Sequence, residues 1–536
     1  MTVNTNGILN LNQGDKIYLL KLSGAGSTAV GGTAATQTYS LSSAVSNLTG
    51  KLTSDGTSVY ILIDGETSLA TDSASTVNTV AATETTASSK TSTAAAGTTA
   101  QNVVAAYSDD KTTTHDMTGN TATSAGDVSG RVAGATTYNG NVTKNTATIT
   151  GGTVGSAIGA SSVTGNADEN TVTLTGGTVK ASVTGGSSVS SNANGNTLNL
   201  SGTTVVEGSV TGGSTASGDA NANTLNLSSG TVNGAVYGGL STAKSADDNT
   251  VIISGGTYND NVYGGYGAPS ASRNKIIISG GKIESDLYGG YVSYASQASS
   301  STQSAKKVMR RALAKAAASS TDTTVANDNT YILLAGSANA FADGVHLYAY
   351  GGTVAEHSGN TLEINGEKGI KLANVVGYDN YNFYLPQGTQ GGDTILHLTS
   401  TTEDTDLSNS KIYITANGAL SVIKGDTINL IEKDGGQLIT TGATVSGGAN
   451  TTDTSSTGTS STPVQTVSTL STNAASTTVA DTTSTDAVTE VTGQIGVSAG
   501  IKGYVHLRGS ERRRRQRRHR EEKREPSRRL HLGTVL

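Results

Sequence analysis

The sequence predicts an all-β chain coiled as a parallel β-solenoid, in which successive turns stack as parallel strands. The first observation behind this prediction is the composition: 4% of the 536 residues are aromatic, with no Trp and two Phe, whereas Gly numbers 68. The second is a unit of about 26 residues that repeats along the middle of the chain. Such a chain buries small and β-branched side chains in thin layers and turns often on Gly, Asn and Asp.

Each repeat begins with asparagine, and apolar residues follow it at the second and fourth positions. The six head asparagines are Asn145, Asn170, Asn196, Asn223, Asn249 and Asn274, at spacings of 25, 26, 27, 26 and 25 residues. Weaker copies of the pattern begin at Asn120, Asn329 and Asn360. Because one residue type recurs at one place in the unit, we expect these side chains to stack as an amide ladder.

Apolar residues at four fixed positions alternate with Thr, Ser or Asn, which is the periodicity of a β-strand. Positions +2 and +4 hold pairs such as Val251 and Ile253. Position +9 holds Val154, Val179, Val205, Val232, Tyr258 and Ile283. Position +13 holds Ile158, Val183, Val236, Val262 and Leu287, with Val210 one step later. We therefore predict three short strands per turn, separated by Gly-Gly pairs that supply the backbone angles of the corners.

Composition divides the chain into six segments. Residues 66–106 and 443–488 are almost entirely Ser, Thr, Ala, Gly and Val, which favours disordered or surface-loop linkers. Residues 304–320 are rich in Ala, Lys, Arg and Leu and are the one helix we expect. The predicted organisation is 1–65, the end of a preceding module; 66–106, a linker; 107–442, the solenoid with its helical insertion; 443–488, a linker; 489–509, the start of a further β segment; and 510–536, an atypical Arg-rich tail.

A second repeat relates distant parts of the chain. Residues 6–21, NGILNLNQGDKIYLLK, align without gaps on residues 417–432, NGALSVIKGDTINLIE. The same segment opens the chain and closes the solenoid, so we expect the chain to be a fragment of a longer product. The sequence shows neither the basic and apolar pattern of a signal peptide nor a run of about 20 apolar residues that could span a membrane.

Charge is distributed unevenly. The last 27 residues hold 11 Lys and Arg against 4 Asp and Glu, a charge of +7 in a chain of total charge −6, which leaves −13 for the other 509 residues. A basic run can bind nucleic acid or an acidic surface, but so abrupt a change favours an out-of-frame or foreign terminus, and no nucleic-acid partner is expected. Cysteine is absent, which excludes disulfides and thiolate sites and suits an oxidising compartment.

Catalytic motifs were sought and not found in the sequence. Neither GDSG nor GxSxG occurs, the histidines lack HExxH spacing, and we expect those before the tail to lie at the surface. The nearest approach to an acidic calcium cluster is the set Asp247, Asp248, Asn259, Asp260 and Asp286. These residues fall at turns, where Asp and Asn are common in any case. We therefore expect no enzymatic activity, no cofactor and no metal site.

One group of aromatic residues has the pattern of a binding site. Its members are Tyr237, Tyr263, Tyr266, Tyr288 and Tyr291, with Leu240 in the place of a sixth ring. Three of them follow an inward residue by one step, so they should point outward, and the others recur just beyond the glycines. Stacked on successive turns they would form an exposed tyrosine ladder, amphipathic and rigid, suited to a protein or glycan partner. The alternative is that the rings stack only to stabilise this face.

The repeat resembles the passenger domains of autotransporter proteins from bacteria with an outer membrane. The resemblance rests on NTVTLTGGTVKASVTGG at residues 170–186, NTVIISGGTYNDNVYGG at residues 249–265 and YNFYLPQGTQGGDTILHLT at residues 381–399. It extends to NGALSVIKGDTINLIEKDG at residues 417–435 and TGQIGVSAGIKGYVHL at residues 492–507.

The family resemblance implies a right-handed parallel β-helix that is exported through a C-terminal membrane barrel and displayed at the cell surface or secreted. It also implies an adhesin-like role in virulence, with a host or bacterial surface protein or glycan as partner and self-association as a further possibility. The chain departs from the family pattern because the signal peptide and the barrel strands are not recognised and the Arg-rich tail occupies the place of the barrel. A polysaccharide lyase-like enzyme and a structural stalk or surface-layer protein are the alternative functions.

Overall fold

The computed structural model is almost entirely β-stranded, and the middle of the chain coils into a parallel solenoid, which confirms the predicted fold class. The structure describes residues 16–21, 38–42, 46–54, 58–68, 75–293, 324–418, 420–421, 427–447, 468–469, 475–477, 492–498 and 502–508. The predicted helical insertion at 304–320 and the Arg-rich tail at 510–536 lie outside these residues, as does most of the predicted linker at 443–488.

One face of the solenoid, the head sheet, collects the strands that follow the head asparagines. It has 14 strands, all parallel to their neighbours except the last. Their bounds are Thr91–Ala94, Thr121–Ser124, Thr146–Ile149, Thr171–Leu174, Thr197–Leu200, Thr224–Leu227, Thr250–Ile253, Lys275–Ile278, Thr330–Leu334, Thr361–Asn365, Asn380–Pro386, Lys411–Asn417, Thr444–Gly447 and Ser468–Thr469. In the repeated turns the second and fourth residues are buried, as predicted for positions +2 and +4.

A second face, the tyrosine face, carries the last strand of each turn. Its strands are Thr76–Thr79, Val103–Ser108, Val183–Ser188, Val210–Thr215, Val236–Ser241, Val262–Gly267, Leu287–Val292, His346–Gly352 and Asn374–Val376. Short corner strands join the two faces: Thr99–Ala100, Thr178–Val179, Val205–Val206, Thr231–Val232, Thr257–Tyr258 and Lys282–Ile283. In two turns the corner and face strands merge, giving Asp127–Thr137 and Thr153–Ser162.

Smaller sheets complete the described structure. The first turns add Thr86–Ser88, Asp116–Thr118, Val142–Thr143 and Ala167–Asp168. The C-terminal part adds Ile370–Leu372, Thr394–Leu398, Thr405–Asp406, Thr427–Lys433, Leu438–Ile439, Ala475–Thr477, Thr492–Ser498 and Lys502–Arg508, with a 3-10 helix at Ser337–Asn339. An antiparallel sheet near the N-terminus consists of Lys16–Lys21, Thr38–Ser42, Ser46–Ser54 and Ser58–Ser68. Within the described ranges we find no helix long and apolar enough to cross a membrane.

The first turns of the solenoid lie where the sequence predicts a linker at 66–106. Thr91–Ala94 pairs in parallel register with Thr121–Ser124, and Val103–Ser108 pairs in the same way with Asp127–Thr137. The residues that face inward in this part of the chain are small, such as Ala87 and Ser92. The linker prediction is therefore corrected for this segment, because inward Ala and Ser do not produce the apolar periodicity by which later turns are recognised. The head sheet likewise extends to residues 444–447, inside the second predicted linker.

The strand register replaces two predicted core residues by their neighbours. Val206, not Val205, pairs with Val179 and is buried, because the extra residue of this longer unit precedes the corner strand. Ala157, not Ile158, lies in the main core, whereas Ile158 points to the other side of its strand. When a repeat is one residue longer or shorter than its neighbours, counting from the head asparagine does not show whether the change comes before or after a given strand.

Candidate functional site

A ladder of asparagines connects the turns and positions the tyrosine face. The backbone N–H of Asn223 donates to Oδ1 of Asn249 at 2.9 Å, and its side-chain Nδ2 donates to the same oxygen at 3.0 Å. The nine members, all fully buried, are Asn120, Asn145, Asn170, Asn196, Asn223, Asn249, Asn274, Asn329 and Asn360. The backbone N–H of Lys90 begins the ladder, and the carboxylate of Asp379 ends it. The amide ladder expected from the sequence is thus present.

The glycine pair of the tyrosine face makes room for this ladder. A Cβ atom at Gly264 would lie 2.9 Å from Cβ of Asn274, and one at Gly265 would lie 2.6 Å from its Nδ2 atom. Neither glycine has a positive φ, unlike Gly256 of the first pair, whose φ is 90°. The prediction that both pairs supply corner angles therefore holds only for the first. The second pair is glycine because backbone carbonyl oxygens and the asparagine side chains together occupy that space. The nearest atoms to the added Cβ atoms are the carbonyl oxygens of Gly289, at 2.3 Å from Gly264, and of Ala246, at 2.1 Å from Gly265.

Two further ladders flank the asparagine ladder, and the sequence reading missed both. In each, a side-chain oxygen accepts the backbone N–H of the equivalent residue one turn later. One consists of Asp116, Asn141, Asn166, Asn192, Asp219 and Ser245, and the other of Asp168, Asn194, Asn221, Asp247, Ser272 and Asn327. The available signal was the alternation of Asn, Asp or Ser before the head asparagine, as in NANGN at residues 192–196.

The predicted tyrosines lie together on the tyrosine face, in two columns. The first column is Tyr237, Tyr263, Tyr288 and Tyr348, in strand register, with ring centroids 4.9–5.1 Å apart and interplanar angles of 5–11°. The second is Leu240, Tyr266 and Tyr291, whose two rings are 4.9 Å apart. Rings of different columns meet at 83–87° and 5.5–5.8 Å. We call these six rings the tyrosine herringbone.

The herringbone is less exposed than the sequence predicts. Tyr237 is buried, with 9% of its surface exposed, and Tyr263, Tyr266, Tyr288 and Tyr291 are half-buried. Burial raises the pKa of the Tyr263 and Tyr291 phenols above the ordinary value, because the phenolate would lose hydration. The prediction of an exposed ladder is corrected in this respect: mutual stacking removes part of each ring from solvent.

Tyr348 is the member that the sequence reading did not include. It pairs with Tyr288, 60 residues earlier, because Leu287–Val292 and His346–Gly352 are neighbouring parallel strands of the tyrosine face. Its signal was the YAYGGT segment at residues 348–353, a copy of the Tyr-Gly-Gly pattern.

A polar cluster borders the herringbone beside Tyr348. His346 stacks on the Tyr348 ring with centroids 5.5 Å apart, and 8% of its surface is exposed. Its Nδ1 atom lies 3.1 Å from Oδ1 of Asp286, and its Nε2 atom lies 2.8 Å from Oε2 of Glu403. Carboxylate oxygens therefore lie within hydrogen-bond distance of both ring nitrogens, in the positions that a substrate or a metal ion would have to take. The expectation that the histidines lie at the surface is wrong for His346 and for His115, which is fully buried.

The residues considered as a calcium cluster make separate contacts, most of them with a neighbouring turn. Asp247 accepts hydrogen bonds from Ser270 and Ser272, and Asp248 forms an ion pair with Arg273 at 2.7 Å. The remaining three make separate contacts, with Asn259 bonded to Asn233, Asp260 to Asn261 and Asp286 to His346. In the part of the chain that the structure describes, no group of three His, Asp or Glu side chains is arranged to hold a metal ion.

Comparison with protein-family models, curated proteins and solved structures gave no match. The class of protein that the structure defines is a parallel β-solenoid with a buried asparagine ladder and a tyrosine herringbone on one face.

Proposed function

We propose that the chain is a non-enzymatic, autotransporter-type passenger that presents the tyrosine face to a partner outside the cell. The role would be adhesion to a host surface or to another cell, in a parent protein that is displayed at the outer membrane or secreted. The observation that carries the proposal is the herringbone itself, in which half-exposed tyrosines continue across successive turns of a rigid coil. The repeat segments at residues 170–186 and 249–265 support the passenger assignment by their resemblance.

The physical argument for binding is that these side chains are already ordered before a partner arrives. Every ring has a stacked neighbour, and the five rings other than Tyr348 also have a perpendicular one, so little rotamer freedom remains to be lost on association. Tyrosine also combines a large apolar area with a hydroxyl group, which is why it is enriched in binding surfaces. The polar groups nearby favour binding over catalysis, because the His346 nitrogens are both engaged.

A structural stalk remains the second candidate function, and the same stacking supports it. The rings cover one another, and three ladders of side-chain hydrogen bonds fix the turns. A stalk needs such rigidity but makes no use of the ring atoms that stay in solvent. The two functions therefore differ in what happens when only the half-exposed rings are removed.

Attachment of beads coated with the full chain to cultured epithelial cells and to bacterial cells tests the proposal. In the test variant the four half-buried tyrosines become serine, as Tyr263→Ser, Tyr266→Ser, Tyr288→Ser and Tyr291→Ser. The matched control removes half-buried apolar side chains from the head sheet, as Ile252→Ser and Ile277→Ser. We expect attachment to fall by about tenfold or more in the test variant only, because aromatic anchors dominate most interfaces. Equal attachment by a test variant with an unchanged far-ultraviolet circular dichroism spectrum would favour the stalk.

A further inference from the structure

The inner rings of the first herringbone column, Tyr263 and Tyr288, are covered by other rings on both faces, whereas the two end rings have Thr211 and Val376 as their outer strand partners. Tyr263 lies between Tyr237 and Tyr288, at centroid distances of 5.0 and 5.1 Å. Tyr288 lies between Tyr263 and Tyr348, and His346 stacks on the Tyr348 ring. A partner that approaches this column therefore meets ring edges and hydroxyl groups rather than ring faces.

The ring faces of the second column are also covered, by a leucine, by a neighbouring ring and by backbone atoms. Tyr266 has Leu240 as its strand partner on one side and the stacked ring of Tyr291 on the other. Beyond Tyr291 the next turn places Gly351, where an added Cβ atom would lie 2.7 Å from Cδ2 of Tyr291. The Tyr291 ring thus rests on a glycine backbone, which leaves no ring-sized gap beneath it. This contact also explains why the second column ends in glycine.

Edges and faces of an aromatic ring select different partners. A glycan binds tyrosine by laying the C–H groups of a sugar against the ring face, where the π electrons make the surface negative. The ring edge is positive, and it attracts carbonyl oxygens and the faces of other aromatic rings. Tyrosine hydroxyls add hydrogen bonds to such acceptors, and the residues of both columns are uncharged.

We propose that the tyrosine face binds a protein surface of apolar and aromatic side chains with accessible carbonyl groups, and not a glycan. This inference rests on the proposed function and reduces its possible partners from a protein or a glycan to a protein. Four rings of the first column, spaced by about one strand separation, span roughly 15 Å along the solenoid axis. That is the size of a hot-spot cluster at the centre of an interface rather than of a whole interface.

Surface plasmon resonance with the full chain tests the partner class. The protein probes are immobilised fibronectin, laminin and collagen, each in native and enzymatically deglycosylated form, and the glycan probes are soluble oligosaccharides of N-acetylglucosamine and of galactose. We expect at least one protein to be bound with an affinity that deglycosylation leaves within about twofold, and Tyr266→Ser with Tyr291→Ser to weaken it about tenfold or more. The pair Tyr266→Phe and Tyr291→Phe keeps the ring edges, so it should stay within about threefold of the unmodified chain. The pair Tyr266→Leu and Tyr291→Leu introduces the side chain that Leu240 already places in this column and removes the ring edges, so it should weaken binding about tenfold or more and provides the test if the serine pair does not fold.

The outcomes separate this inference from the proposed function. Binding that deglycosylation removes, or oligosaccharide binding that the serine pair removes, would overturn the protein assignment while adhesion stands. A dimer in sedimentation velocity that the serine pair abolishes would assign the face to a second copy of the chain and overturn a foreign partner. Failure to bind any of the three proteins, in a chain that still attaches to cells, would count against the inference alone.

Discussion

Asn223 lies in the middle of the asparagine ladder, and replacing it by alanine tests how much the ladder contributes to stability. Its Oδ1 atom accepts hydrogen bonds from the backbone N–H and Nδ2 of Asn196, and its own Nδ2 donates to Asn249. The change Asn223→Ala leaves these buried donors and an acceptor without partners, which should lower the free energy of unfolding by about 2 kcal/mol or more. Denaturant unfolding followed by circular dichroism measures the loss.

The matched control for that change is Asn226→Ala in the same turn. Asn226 is half-buried on the outer side of its strand and donates one hydrogen bond, of 2.8 Å, to Asn199. Solvent can replace this bond, so we expect a change of about 0.5 kcal/mol or less. If the two substitutions shifted the unfolding midpoint equally, asparagine at the repeat head would be a consequence of strand composition and not a structural requirement.

The backbone conformation of the residue before each head asparagine is also determined by its position in the repeat and not by its residue type. This residue adopts a left-handed conformation whether or not it is glycine: φ is 57° at Glu169, 56° at Ala222 and 64° at Gly195. The asparagine ladder fixes the chain after this residue, and the flanking ladder that contains Asn194 and Asn221 fixes it before, so the corner is kept even where the side chain disfavours it. Sequence patterns alone do not reveal this corner, because Lys, Glu, Ala, Asp, Arg and Gly all occupy it.

At the scale of elements, the herringbone predicts how stability depends on alkaline pH. The pKa of the Tyr263 phenol is raised by burial, and that of Tyr291 is raised for the same reason. An unfolded chain releases these protons at about pH 10, whereas the folded chain retains them. Stability should therefore be unaffected by these groups below about pH 10 and should fall as the pH rises further, since the unfolded state then binds fewer protons.

Denaturant unfolding at a series of pH values from 8 to about 12 measures this slope, and phenolate absorbance follows the ionisation. The variant Tyr263→Phe keeps the stacked ring and removes one titrating group, so its stability should fall less steeply with pH than that of the unmodified chain. An identical slope in the variant would mean that the Tyr263 phenol ionises as readily in the folded chain as in the unfolded one.

The strands themselves were largely predictable, and each exception has a physical cause. Alternation of apolar and polar residues identified the head strands and the tyrosine columns, because a strand buries every second side chain. It failed where the buried residue is small, as at Ala94 in the first turn, and where a one-residue length change shifts the phase, as at Val206. It also could not assign the second glycine pair to the asparagine ladder, because that contact joins residues of different turns.

At the scale of the whole molecule, the repeat spacing predicts where the tyrosines lie but not how their rings pack. The spacing of Tyr237, Tyr263 and Tyr288 placed the rings on one face, since equal spacing in a solenoid means one column. It did not reveal that the ring faces are covered, which depends on side-chain rotamers and on the perpendicular packing of the second column. Our proposal of a protein partner in preference to a glycan therefore rests on the packing of the rings and not on their spacing in the sequence.

The core of the solenoid changes along its axis, and this gradient should determine where the molecule opens. The inward residues of the head sheet are small in the first turns, such as Ala94 and Ala122. They become Leu225 and Leu227 in the middle and Tyr381 and Phe383 towards the end. Each buried methylene contributes about 0.8 kcal/mol, so a turn with leucines is stabilised far more than a turn with alanines. In a solenoid each turn contacts only its neighbours, so these differences are not averaged over the whole molecule.

Hydrogen exchange followed by mass spectrometry should therefore show protection that rises along the axis. We expect the amides of residues 91–94 and 121–124 to exchange fastest among the head strands, and those of 361–365 and 380–386 to exchange slowest, because local opening follows local burial. The substitution Leu225→Ala, which costs about 2–5 kcal/mol in a packed core, should raise exchange in its own turn and the adjacent ones while leaving 361–365 unchanged. Uniform protection, or an equal response of distant turns to Leu225→Ala, would instead show that the solenoid unfolds as one cooperative unit.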